Sequence, residues 1–160
     1  MQPRERFRVV PATALPLPHN PFRCRYAQRY IDLLRAECGL AEGRGWPPRV
    51  TRAEELAAGR RFDASLRLEE LAACRYHRGD WRAAARAALS ALRDVGDWNV
   101  WALSERLAGL GLDEVTERWA ISLLTDPIYW AEGDLGITNG QHRACALRHS
   151  RAPAVPVLGH

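Results

Sequence analysis

The chain has 160 residues, 47% of them apolar, and a formal charge of +4. That suits one domain with room for a core, and no stretch approaches the roughly 18 apolar residues of a membrane span. All 23 basic residues are arginine, which excludes Schiff-base chemistry and a Walker-type phosphate loop, both of which require lysine.

The amino end carries Arg4, Arg6 and Arg8 with no apolar run behind them, unlike a signal peptide, so a cytoplasmic location without a membrane partner is expected. Tyr26, Tyr30, Leu33, Leu34 and Cys38 recur at helical spacing and predict a first helix over about Arg25 to Glu37. Gly39 to Pro48 holds three glycines and two prolines and reads as a loop. Thr51-Arg-Ala-Glu54 has the pattern of a capping box and predicts a short helix to Ala58.

From about Asp63 to Thr125 the chain is rich in Ala, Leu, Arg and Glu and has no proline, so this block reads as all helical. Leu66, Leu68, Leu71, Ala72 and Tyr76 mark one helix that stops near Gly79. Asp80 caps the next, with Ala84, Ala88, Leu89 and Leu92 as its packing stripe. Asn99 or Asp97 opens a third through Leu107, and Asp113 caps a fourth that Asp126-Pro127 ends. Trp81, Trp98, Trp101 and Trp119 all fall in this block and are expected in the core or as hairpin clasps. Ile128-Tyr-Trp130 and Leu135 to Thr138 then read as a β-hairpin.

Asn139-Gly140 is a strong turn signal because both residues tolerate positive φ. Gln141 to Leu147 runs without a breaker, which puts Gly140 to Arg143 on the first turn of a helix, followed by a strand around Val155-Pro-Val157. Unpaired backbone N–H groups and the positive end of the helix dipole attract anions there. Arg143, and His142 when protonated, make phosphate the expected guest. The structural alternative for Arg143 is an ion pair with a neighbouring acid. Gln141 can donate a hydrogen bond but cannot act as nucleophile or base. The cysteines at 24, 38, 74 and 145 form no C-x-x-C pair and no zinc spacing with the histidines, so no metal site is expected and the four read as small buried residues.

The run Asn139-Gly-Gln-His-Arg143, its helix and the Val155-Pro156-Val157 strand resemble the phosphate-binding segment of the ParB/sulfiredoxin superfamily. Gly140 and Arg143 match both branches, and His142 matches the sulfiredoxin form. Arg8-Val-Val-Pro-Ala-Thr-Ala-Leu15, the Pro16-Leu-Pro-His-Asn-Pro21 run and the helix after it resemble the family's opening strand, loop and helix. Pro47-Pro-Arg-Val50 stands where the family has its next strand. The resemblance implies an α+β fold: a small ParB/sulfiredoxin-like core over 7–62 and 127–158, formed by both chain ends, with an all-helical insertion over 63–126. It also implies that His19, Asn20 and Arg23 face the phosphate site.

The function the resemblance implies is binding of a nucleoside triphosphate with Mg2+ at Asn139, Gly140, Gln141, His142 and Arg143, together with His19, Asn20 and Arg23. At most it implies NTP hydrolysis or phosphoryl transfer. Gln141 and Leu15 stand where sulfiredoxins have their cysteine and an arginine, so sulfiredoxin chemistry is not expected. The alternative is a non-enzymatic module that binds DNA, or a protein partner through the helical insertion, and has lost nucleotide chemistry.

Overall fold

The computed structural model describes residues 7–21, 24–94, 99–131, 134 and 136–159. The fold is α+β and mostly helical, with a two-stranded antiparallel sheet. Strand β1 (Phe7–Val10) pairs with β2 (Val155–Leu158) so that Phe7 faces Leu158 and Val10 faces Val155. The first and the last strand of the described residues thus pair with each other. Among the described residues no helix is long and apolar enough to cross a membrane.

The chain divides into two compact units. The unit over Leu17–Cys74 contains α1 (Ala27–Glu37), α2 (Arg52–Ser65) and α3 (Leu68–Ala73). The capping box forms as expected: Thr51 Oγ1 accepts from the Glu54 backbone, and Glu54 Oε2 accepts from the Thr51 N–H at 2.7 Å. The helix outruns its predicted end at Ala58 because Ala58 and Phe62 both lie in this unit's core, against Tyr30 and Leu34. Arg29 holds the Glu70 carboxylate from both oxygens, at 2.6 and 3.1 Å, and with the Arg67 N–H pushes that carboxyl down to about 2.

No strand forms at Pro47-Pro-Arg-Val50. Two consecutive prolines remove two ladder donors, and the segment is a loop, as is the stretch before it, where Arg35 donates to Ala41 O and Gly45 O at 2.9 Å.

The second unit joins the described residues of 1–16 to those of 75–160. It holds both strands, a 3-10 turn at Ala12–Ala14, another at Arg75–His77, and α4 (Trp81–Asp94), α5 (Val100–Ala108), α6 (Glu114–Thr125) and α7 (Gln141–Ser150). The helices of the expected insertion over 63–126 fall in both units. The chain breaks between Cys74 and Arg75, and α4 to α6 share one core with the terminal strands. The reason lies in α4, whose buried face is nearly all alanine (Ala84, Ala85, Ala88, Ala91). Small side chains allow close approach, so α4 packs on α6 and on Val155 and Val157 of β2.

The predicted caps form locally. Asp80 Oδ1 accepts from Ala83 N at 2.9 Å, Asn99 Oδ1 from Ala102 N at 2.9 Å, and Asp113 Oδ1 from Thr116 N at 3.0 Å. Asp97, the alternative opener, lies outside the described residues. Thr116 is fully buried and ties two helix starts together, donating to Asp113 Oδ2 and accepting from Asp80 N at 2.9 Å. Thr116→Val keeps the shape and removes both bonds, so urea denaturation should show a loss of about 1–2 kcal/mol.

Of the hairpin expected at 128–138, the described residues show one antiparallel bridge. Tyr129 pairs with Asn139, and on its other side the segment 128–130 runs beside the end of β2. Glu132, Gly133 and Leu135 lie outside the described residues.

Candidate functional site

Asn139 and Gly140 carry the chain from the bridge into α7, and the turn forms as the sequence predicts. Gly140 has φ +90° and ψ 22°, in the left-handed region. Ile128 closes over it: a Cβ at this position would meet Ile128 Cγ1 at 2.9 Å and its Cα at 3.1 Å. The position therefore demands glycine twice, for conformation and for space.

The side chains of the turn point to the protein's own groups. Asn139 Nδ2 donates to Asp126 Oδ1 at 2.8 Å and to Pro127 O at 2.9 Å. Arg143 is buried, only 6% exposed. Its Nη1 donates to Ser122 O at 2.9 Å and to Asp126 O, and its Nη2 donates to Asp126 Oδ2 at 3.0 Å. Ser122 and Asp126 are the last turn and the C-cap of α6, so the guanidinium sits where carbonyls converge and the helix dipole is negative. Burial lowers the Arg143 pKa, and the Asp126 carboxylate opposes that shift. Of the two roles the sequence leaves open for this arginine, the geometry favours the structural one.

Gln141 is buried on the first turn of α7. His142 lies flat on Tyr76, with ring centroids 4.3 Å apart and an interplanar angle of 5°. The N-cap of α7 is Gly140, which has no side chain to cap the helix start. At the other end, Arg148 donates to Thr13 O at 2.6 Å and to Leu15 O at 2.7 Å, tying α7 to the 3-10 turn after β1.

His19 and Asn20 belong to the unit over Leu17–Cys74. His19 Nδ1 stands 3.2 Å from Leu17 O, its ring meets Trp46 edge-on at 6.3 Å, and Asn20 O accepts from Cys24 N at 3.0 Å. Both have local structural partners. Arg23 lies outside the described residues.

One grouping escapes sequence reading. The turn Arg75–His77 lies against α7, bringing His77 Nε2 to 3.6 Å from Cys145 Sγ and the His77 ring to 5.3 Å from that of His149. Burial, then the neighbouring His149 and His142, lowers the His77 pKa to about 4, so the ring is neutral at pH 7. The helical spacing 142, 145, 149 is visible in the sequence. Its partner at 77 lies 68 residues away from Cys145, and nothing local announces it.

The tryptophans of the helical block divide. Trp81 is buried and stacks on Trp119 at 4.8 Å, as expected of core rings. Trp101 on α5 is 82% exposed, with Val100 beside it at 53%, so this ring is not a core residue. Trp98 lies outside the described residues.

Comparison with family models, with curated proteins and with solved structures finds no match to this chain.

Proposed function

We propose that the chain is a protein-interaction module built from ParB/sulfiredoxin-like elements, in which the phosphate-binding turn has become structural. The observation that carries this is Arg143, whose guanidinium is committed to Ser122 and Asp126 at the end of α6. An arginine so occupied would have to break internal bonds before it could hold a phosphate.

The partner surface is α5. Trp101 and Val100 project from it, and Leu110 just beyond is 44% exposed. A large ring held in solvent costs free energy unless something covers it part of the time, and tryptophan is prominent among interface anchors. DNA is the weaker partner. Arginines 29, 52, 61, 106, 118 and 143 each face a carboxylate within the protein, which leaves those positions poor contributors to a basic stripe.

A second reading keeps the nucleotide. The N-cap of α7 is a glycine, and the first-turn amides of that helix, with His142, would hold phosphates with Mg2+ independently of Arg143.

Calorimetric titration with ATP, CTP and GTP in the presence of Mg2+ separates the two. The interaction reading expects no saturable heat, and expects a protein captured from native extract by wild type to be lost in Trp101→Ser. Saturable binding that disappears in His142→Ala would restore the nucleotide reading.

A further inference from the structure

The fold makes two demands at the turn into α7. Position 140 requires glycine, for its left-handed backbone and for its closeness to Ile128. Position 139 supplies a double donor, since Asn139 Nδ2 donates to Asp126 Oδ1 at 2.8 Å and to Pro127 O at 2.9 Å. Together the two demands create a chemically labile pair. Asparagine is a thermolabile residue, and a glycine after it puts no Cβ in the way when its backbone nitrogen attacks the side-chain amide. The chain's other asparagines are shielded by their neighbours: Asn20 precedes proline, which lacks an N–H, and Asn99 precedes the β-branched Val100. We propose that Asn139-Gly140 is a site of spontaneous deamidation gated by the end of α6, whose product irreversibly loosens the join between α6 and α7.

The reaction needs only water. The Gly140 nitrogen gives its proton to solvent base and bonds to Asn139 Cγ, closing a five-membered imide. The Cγ–Nδ2 bond breaks, and the nitrogen takes up a proton and leaves as ammonia. Water then opens the imide at one of its two carbonyls. Breaking the new bond to Cγ gives aspartate; breaking the main-chain bond gives isoaspartate, with an extra methylene in the backbone. One water is consumed, one ammonia is released, and nothing is oxidised or reduced.

The native contacts hold this reaction back. Ring closure swings Cγ toward the Gly140 nitrogen and pulls Nδ2 from Asp126 and Pro127. The backbone is held as well: Asn139 O accepts from Tyr129 N, and Gly140 O accepts from Ala144 N, both at 2.9 Å. The rate therefore follows the fraction of molecules in which this turn is open.

Once formed, neither product rebuilds the turn. Aspartate at 139 sets a second carboxylate beside that of Asp126, and Asp126 Oδ1 and Pro127 O lose their donor. The positive end of α7 offsets part of that repulsion. Isoaspartate shifts Gly140 from its fitted place against Ile128, where not even a Cβ has room. Asp126 also receives Arg143 Nη2 at 3.0 Å, so the disturbance reaches the pair that closes α6.

The test follows the whole chain by mass spectrometry in mildly alkaline buffer, reading a gain of one mass unit in the tryptic peptide that ends at Arg143. Folded wild type should react at least about tenfold more slowly than the same chain in guanidinium chloride. Asp126→Ala should raise the folded rate, because it removes one acceptor of the Asn139 amide. Asn139→Asp, which stands for one product, should unfold at a lower temperature than wild type. No mass gain in either state would overturn the site. Equal rates in folded and unfolded wild type, or an unchanged folded rate in Asp126→Ala, would overturn the gating. An Asn139→Asp variant as stable as wild type would overturn the loosening. If Asp126→Ala does not fold, the two rates of wild type decide the gating.

Discussion

Replacing Arg143 with alanine is expected to lower the free energy of unfolding by about 3 kcal/mol. Three acceptors lose their donor together: the carbonyls of Ser122 and Asp126 and the Asp126 carboxylate. The carboxylate is largely exposed, 69% against 8% for the arginine side chain, and water will satisfy it. The cost therefore comes mostly from the two carbonyls at the end of α6 and from the cavity left by a buried side chain. Arg143→Lys should recover only part of the loss, because a single ammonium cannot span carbonyls and carboxylate with the geometry of a guanidinium. Urea denaturation measures both variants. If Arg143 were a surface ligand for phosphate, either substitution would leave the stability within about 0.5 kcal/mol of wild type.

Gly140→Ala should cost a comparable amount, about 2–5 kcal/mol. A Cβ in the left-handed region adds roughly 1–2 kcal/mol, and its collision with Ile128 at 2.9 Å adds an overpacking term of about 1–3 kcal/mol. Ile128 is fully buried and part of the core, so it has little room to withdraw. Gly109→Ala is the internal control. Gly109 has φ −76°, and a methyl group added there would meet nothing within 4 Å, so alanine should be neutral or stabilise by up to about 1 kcal/mol. Equal midpoints for the two variants in thermal unfolding would contradict the steric account of the turn.

Both predictions fall on a turn that the sequence marks clearly, yet for a role it does not reveal. Asn139-Gly140 announces positive φ because that requirement is local. The caps at Thr51, Asp80, Asn99 and Asp113 are legible for the same reason: each involves a side chain and an amide three residues on. The acceptors of Arg143 lie 17 and 21 residues back, at the end of another helix. Spacing alone cannot tell an arginine aimed at solvent from one aimed at a neighbouring helix terminus. The positive end of the α7 dipole attracts an anion and so suggests a ligand site, whereas the negative end of α6 attracts the guanidinium itself.

Tertiary context also decided the strands and the tryptophans. Pro47-Pro48 occupies a position where the resemblance implies a strand, but prolines supply no ladder donors, and the segment is a loop. The residues 128–130 found two neighbours, Asn139 and the end of β2, where the sequence pattern offered only one. Trp101 broke the rule that large rings in a helical block are core. The buried face of α5 is already supplied by Leu103 and Leu107, and in a helix of nine residues that stripe leaves position 101 turned outward.

The central claim is that the Arg143 guanidinium serves the end of α6 and not a ligand. Nitrogen-15 NMR of that side chain tests it most directly, with inorganic pyrophosphate and Mg2+ as probe. Slowly exchanging guanidinium protons whose shifts do not move on addition of pyrophosphate are the predicted result. Rapid exchange with water, or a saturable shift as pyrophosphate is added, would contradict the account and return the arginine to an anion site.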